Sequence, residues 1–124
     1  MTDISVVTTT ARDLIAQMLD EYGMWAVLHV AEPTPSDPLA TIVRMSGQYA
    51  IKVYWVRDGA VLTNATPIKF AGINDLSSVS WIALTADDTA TQILFAGEVD
   101  EPSVSGTGWD VFVVPSGTVQ IVVA

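Results

Sequence analysis

Cysteine is absent from the 124 residues, so disulfides, thiolate nucleophiles, iron–sulfur clusters and the common structural zinc sites are excluded together. Stability has to come from packing or assembly. Basic residues are scarce: Arg12, Arg44, Lys52, Arg57 and Lys69 are scattered along the chain against 14 acids, for a formal charge of −9. A surface of that sign repels phosphate backbones and argues against nucleic acid as a partner. No apolar run approaches the roughly 18 residues that mark a membrane span. Met1-Thr2-Asp3 opens without the basic cluster and apolar stretch of a secretory signal, so no membrane partner is expected and synthesis in a cytoplasm is.

Hydrophobic residues make up 50% of the chain and charged ones only 15%. The length fits one domain with one core. So few charges cover a small monomer thinly, which points to apolar faces buried between subunits.

From Thr10 onward, Ala11, Leu14, Ile15, Met18, Leu19 and Tyr22 recur at helical spacing, with Arg12, Asp13, Gln17, Asp20 and Glu21 between them. The pattern predicts an amphipathic helix over 11–22, capped by Thr10, supported by Asp13 in a variant capping box and stopped by Gly23. A helix of about three turns is marginal alone, so its stripe of Leu14, Ile15, Met18, Leu19 and Tyr22 must pack on its own sheet or serve as an attachment interface. The second option is the one favoured here, because the remainder holds enough strands to close a core.

After Gly23 short apolar or alternating runs are separated by turn residues, the pattern of an all-β unit. Strands are expected at 24–31, 40–45, 49–56, 60–63, 66–70, 78–85, 92–99, 109–114 and 118–123. Glu32 to Leu39 is a loop on account of Pro33, Pro35 and Pro38. Asp58-Gly59 is the strongest hairpin signal. Pro67 marks a strand as an edge. The organisation expected is an N-terminal segment, 1–23, carrying the helix, and a β-sandwich domain, 24–124, in one globular unit.

Residues able to carry chemistry are few. His29, the sole histidine, sits in the apolar run Trp25 to Val30 with no nucleophile elbow or zinc partners, which makes a packed structural residue the better reading. Asp20-Glu21, Asp87-Asp88 and Asp100-Glu101 are acid pairs, but their spacing matches no calcium loop. Glycoside hydrolysis by paired acids ranks lower still. Gly106-Thr107-Gly108 lacks the third glycine, the lysine and the following helix of a phosphate loop. Asn64-Ala65-Thr66 has the form of a glycosylation sequon, discounted because Pro67 follows and no secretion signal is present. Trp25, Trp55, Trp81 and Trp109, with Tyr49, Tyr54, Phe70, Phe95 and Phe112, are read as core or interface aromatics in preference to a stacking platform. No catalytic, cofactor-binding or metal residue is assigned.

The order of segments carries a resemblance. An amphipathic helix is followed by Leu28-His29-Val30-Ala31-Glu32-Pro33, a Tyr49-Ala50 strand opening, a strand ending in Phe70, Ile93-Leu94-Phe95-Ala96-Gly97-Glu98, and Gly117 before the last strand. This resembles a family of small tailed-phage proteins described as tail fibre or minor tail proteins, frequent in phages of actinobacteria. Its members carry a similar Leu-His-Thr-Ala-Asp-Pro segment and Tyr-Ala-Arg opening. The chain departs from the pattern at Ile51, where arginine is frequent, and at Asp87-Asp88-Thr89, where glycine is usual.

The resemblance implies a virion structural protein: a small oligomeric accessory subunit of the tail, with a trimer as first choice by analogy with phage fibres. Its partners would be its own copies and other virion proteins. A capsid decoration protein is the alternative within that class. A carbohydrate-binding module for the host surface is the alternative from another class, and an enzyme comes last. The expected fold is mostly β, an N-terminal amphipathic helix followed by an antiparallel, jelly-roll-like β-sandwich.

Overall fold

The computed structural model describes residues 2, 7–43, 50–73, 79–99, 103–104 and 111–123. Helix α1 spans Thr9–Tyr22. Its cap is Thr8, whose Oγ1 accepts from the Ala11 N–H at 3.1 Å. Thr10, the expected cap, lies inside the helix. Propagation favours one more backbone bond wherever a competent hydroxyl permits it, and here the Arg12 N–H reaches the Thr8 carbonyl at 3.0 Å. Asp13 consequently falls past the first turn, which holds no acid. Gly23 ends the helix with φ 76° and donates its N–H to the Leu19 carbonyl at 3.0 Å. The Lys52 side chain fills the space where a Cβ on Gly23 would project. That places a cation at the negative end of the helix dipole.

Ten strands follow among the described residues: β1 (Met24–His29), β2 (Ile51–Val53), β3 (Trp55–Asp58), β4 (Val61–Asn64), β5 (Ile68–Ala71), β6 (Trp81–Thr85), β7 (Ile93–Glu98), β8 (Ser103–Val104), β9 (Val111–Val114) and β10 (Gln120–Val122). The mostly β class with a leading helix is as expected. The strands divide among three antiparallel sheets ordered β2-β1-β6-β7, β10-β4-β3 and β5-β9-β8.

Several local expectations are met and others are corrected. Asp58 pairs with Val61 across a tight loop, Gly59-Ala60, in which only Gly59 has positive φ, the position where a II′ hairpin turn demands glycine. Pro67 precedes β5, which is an edge strand. The single strand expected over 49–56 is instead two, broken at exposed Tyr54: β2 pairs with β1, and β3 leaves for another sheet to pair with β4. No strand forms over 40–43; the chain there makes one isolated bridge, His29 to Ile42. The last two strands, consecutive in the chain, do not pair with each other. β9 pairs with β5 and β8, whereas β10 pairs with β4. The strand openings at Tyr49 and Trp109, Gly106-Thr107-Gly108 and Asp100-Glu101 lie outside the described residues.

The core gathers Met24, Ala26, Leu28, Val53, Trp55, Leu62, Phe70, Phe112 and Ile121 from all three sheets, with Ala16 of the helix. Phe70 and Phe112 meet edge to face, centroids 6.3 Å apart, a geometry their ring quadrupoles favour. On the opposite face of β1, Val27 packs with Ala50 and Ala90 in a second, smaller cluster. Ala90 holds φ 63° there, a left-handed conformation that disfavours any residue with a Cβ.

The polar centre of the fold is Asn64, only 2% exposed. Its Nδ2 donates to the carbonyls of Thr66 at 3.1 Å and Pro115 at 2.9 Å. Its Oδ1 accepts from the N–H groups of Thr118 at 3.0 Å and Val119 at 2.9 Å. One side chain thereby pins the 115–119 turn, and with it β10, onto the end of β4. A buried amide with both ends engaged is a fold device, which accounts for a sequon that lies inside the protein. Asn64→Ala leaves four main-chain groups without this partner and is expected to cost about 3 kcal/mol in urea denaturation. Asn64→Asp should be comparably destabilising, because it turns the donor facing two carbonyls into an acceptor.

Candidate functional site

His29 is fully buried at the end of β1. Its Nδ1 lies 2.8 Å from the Thr41 hydroxyl. The Thr41 O–H is directed to the Ala31 carbonyl at 3.4 Å, so the network assigns the imidazole proton to Nδ1. Nε2 is buried with no partner among the described residues. Desolvation in this setting pushes the His29 pKa below its usual value near 6.5. An imidazole sealed in this way fastens the 30–43 segment to the sheet, a job shared by the Val30 N–H bond to the Thr41 carbonyl and the Val43 N–H bond to the Leu28 carbonyl.

Of the acid pairs, Asp20-Glu21 and Asp87-Asp88 lie among the described residues and join no common cluster. Glu21 accepts from Gln17 one turn back on the helix surface at 3.1 Å. Asp87 uses one carboxylate oxygen to hold the Thr89 N–H at 3.1 Å and the Thr89 hydroxyl at 2.6 Å, a local turn. Among the described residues no group of three or more histidines and acids gathers as a metal would require.

The aromatics among the described residues are dispersed too. Trp55, Phe70 and Phe112 are core residues. Trp25 is half-buried, with Lys52 Nζ 5.3 Å from its ring centroid, a cation–π contact across paired strands. Tyr54 stands alone at the break between β2 and β3, 62% exposed.

What remains as a candidate site is apolar surface. Helix α1 turns Ala16 fully inward and packs Leu19 against the core. Leu14, Ile15, Met18 and Tyr22, the rest of the stripe, face outward at 56%, 43%, 60% and 64% exposure. The helix therefore docks at home by its small-residue edge and leaves the large residues uncovered. A second feature is a groove of about 350 Å³ between β7 and β10, with Ile82, Leu84, Phe95 and Ile121 in its walls beside the polar Glu98, Thr118 and Gln120. Sequence periodicity identified the stripe but missed its division, since Ala16 gave no sign that it would set the docking face.

No protein-family model matches the chain, and no curated protein matches it.

The His29 geometry carries a pH dependence of defined sign. The folded state holds the imidazole neutral below the pH at which the unfolded chain takes up a proton. The unfolded state therefore binds more protons as pH falls from about 6.5 toward the lowered folded-state pKa, and stability drops across that window and is level above it. Denaturation midpoints measured at mildly acidic and neutral pH should differ for the wild type. His29→Asn should lower stability at neutral pH by about 1–2 kcal/mol and remove that component of the acid dependence.

Proposed function

We propose that the chain is a structural subunit of a tailed-phage virion, a small self-associating accessory protein of the tail that acts through surfaces and carries out no reaction. The observation that carries this reading is the exposed helix face of Leu14, Ile15, Met18 and Tyr22. Large apolar side chains aligned on a capped helix are costly to leave in water and mark an interaction surface. The particle and the tail come from the resemblance in segment order, and the partners are copies of the chain and neighbouring virion proteins.

Two substitutions one residue apart on the helix test it. Leu19→Asp places a charge against the core and should unfold the domain. Met18→Asp lies on the outward face and should melt as the wild type does by circular dichroism, yet fail to enter particles assembled in infected cells. A Met18→Asp protein that is both stable and incorporated normally would remove the helix face from the function.

A further inference from the structure

Strand β7 is the outer strand of the sheet β2-β1-β6-β7. The Val99 N–H donates to the Ser80 carbonyl at 2.9 Å. Main-chain direction alternates along an antiparallel strand. Phe95 and Gly97 therefore aim their N–H and C=O groups at β6, and Ala96 and Glu98 aim theirs away from the sheet, where no strand pairs with them among the described residues. Open edges ordinarily carry a lysine, a proline, another blocking charge or a bulge; β7 has one charge, Glu98 at its end, and one irregularity near its start, and Phe95 to Gly97 between them carries none of these. Leu94 and Phe95 are 43% and 36% exposed. The one irregularity against β6 falls between Leu84 and Thr85, leaving Phe95 to Glu98 in regular register.

Gly97 is the second observation. It is not among the glycines with positive φ, and a Cβ built there meets nothing within 4 Å. Among the described residues neither backbone conformation nor packing calls for glycine here, although glycine weakens a strand interior. Glycine in such a place fits the close approach of a group from outside.

We propose that β7 pairs antiparallel with β7 of a second copy, about a twofold axis at Ala96. Within the regular stretch the outward groups belong to Ala96 and Glu98, so the central hydrogen-bonded pair joins Ala96 with its own copy, and Glu98 comes opposite the irregular start of the second copy's strand. Phe95 of each copy then lies over Gly97 of the other, and the ring enters the mouth of the groove walled by Ile82 and Ile121. An aromatic laid across a strand glycine is a recognised stabilising pair. Glu98 never opposes Glu98, and for a chain of charge −9 the uncharged run Ile93 to Gly97 is a place where two copies can meet without direct repulsion. The contact is isologous and closes as a dimer, in place of the trimer that analogy with fibres favoured. It rests on the self-association in the proposed function and is independent of the virion assignment.

Sedimentation velocity on the full chain, from low to high micromolar concentration, tests the pairing together with two variants. Ala96→Pro removes only an outward N–H, so the protomer should keep its melting transition while the dimer dissociation constant rises roughly tenfold or more. Ala96→Cys supplies the only thiol in the chain, and Cα atoms about 5.5 Å apart in a hydrogen-bonded pair lie in disulfide range. Mild oxidation should therefore give a covalent dimer, whereas Val56→Cys, exposed on β3 and outside the groove, should remain monomeric. A wild type that is monomeric throughout overturns both the pairing and the self-association. An oligomer that persists unchanged in Ala96→Pro, or equal cross-linking of the two cysteine variants, overturns the pairing alone. If Ala96→Pro loses its fold, the cysteine comparison decides.

Discussion

Strand β1 is buried on both faces, and much of the remaining architecture answers that constraint. Met24, Ala26 and Leu28 point into the main core, while Val27 and His29 point the other way and are just as inaccessible. A sheet that is apolar on both sides needs two covers. Strands from the other two sheets supply one, meeting β1 through Leu62, Phe70, Phe112 and Ile121. Extended loops supply the other: Ile42 and Ala90 close over Val27, and Thr41 closes over His29. The left-handed backbone of Ala90 belongs to this requirement, since a tight bend with a small apolar side chain lets the loop lie flat against the sheet.

Local chemistry was legible where a few neighbouring residues decide the outcome. The Asp58-Gly59 hairpin, the Gly23 stop, the proline loop and the edge character of β5 each follow from the conformational rules of one or two residues. Long-range pairing was not legible in the same way. Nothing in Thr118 to Val123 says that β10 will join β4 and not β9, because the deciding bonds run from Asn64 to residues more than fifty positions away. The strand break at Tyr54 is of the same kind: 49–56 alternates like one strand, and only the positions of β1 and β4 split it between two sheets. For the candidate site, periodicity named the helix stripe, and His29 was read as structural from its apolar neighbours. Thr41, its partner twelve residues on, lay in a segment read as a strand and offered no signal of its own.

The net charge sets the range over which the exposed surfaces can act. Screening confines the repulsion between like-charged copies to separations within about a Debye length, roughly 8 Å at physiological ionic strength. Attraction has to come from short-range apolar contact, and the helix face and the β7 edge are where such contact is offered. Added salt should therefore strengthen association that is driven by these surfaces, the opposite of its effect on an interface held by ion pairs.

The buried polar side chains complete the same argument from the inside. Asn64 and Thr85 direct their hydrogen bonds to main-chain groups: Asn64 to the 115–119 turn and Thr66, and Thr85 to the carbonyls of Asp87 and Trp25. His29 reaches a hydroxyl that itself reaches a carbonyl. His29, Asn64 and Thr85 thus each fasten a loop to a sheet, and Nε2 of His29 is the part of these side chains left without a partner among the described residues. The interior is arranged for rigidity, and a rigid frame is what an exposed helix face and an open strand edge need if they are to be presented to a neighbour at fixed spacing.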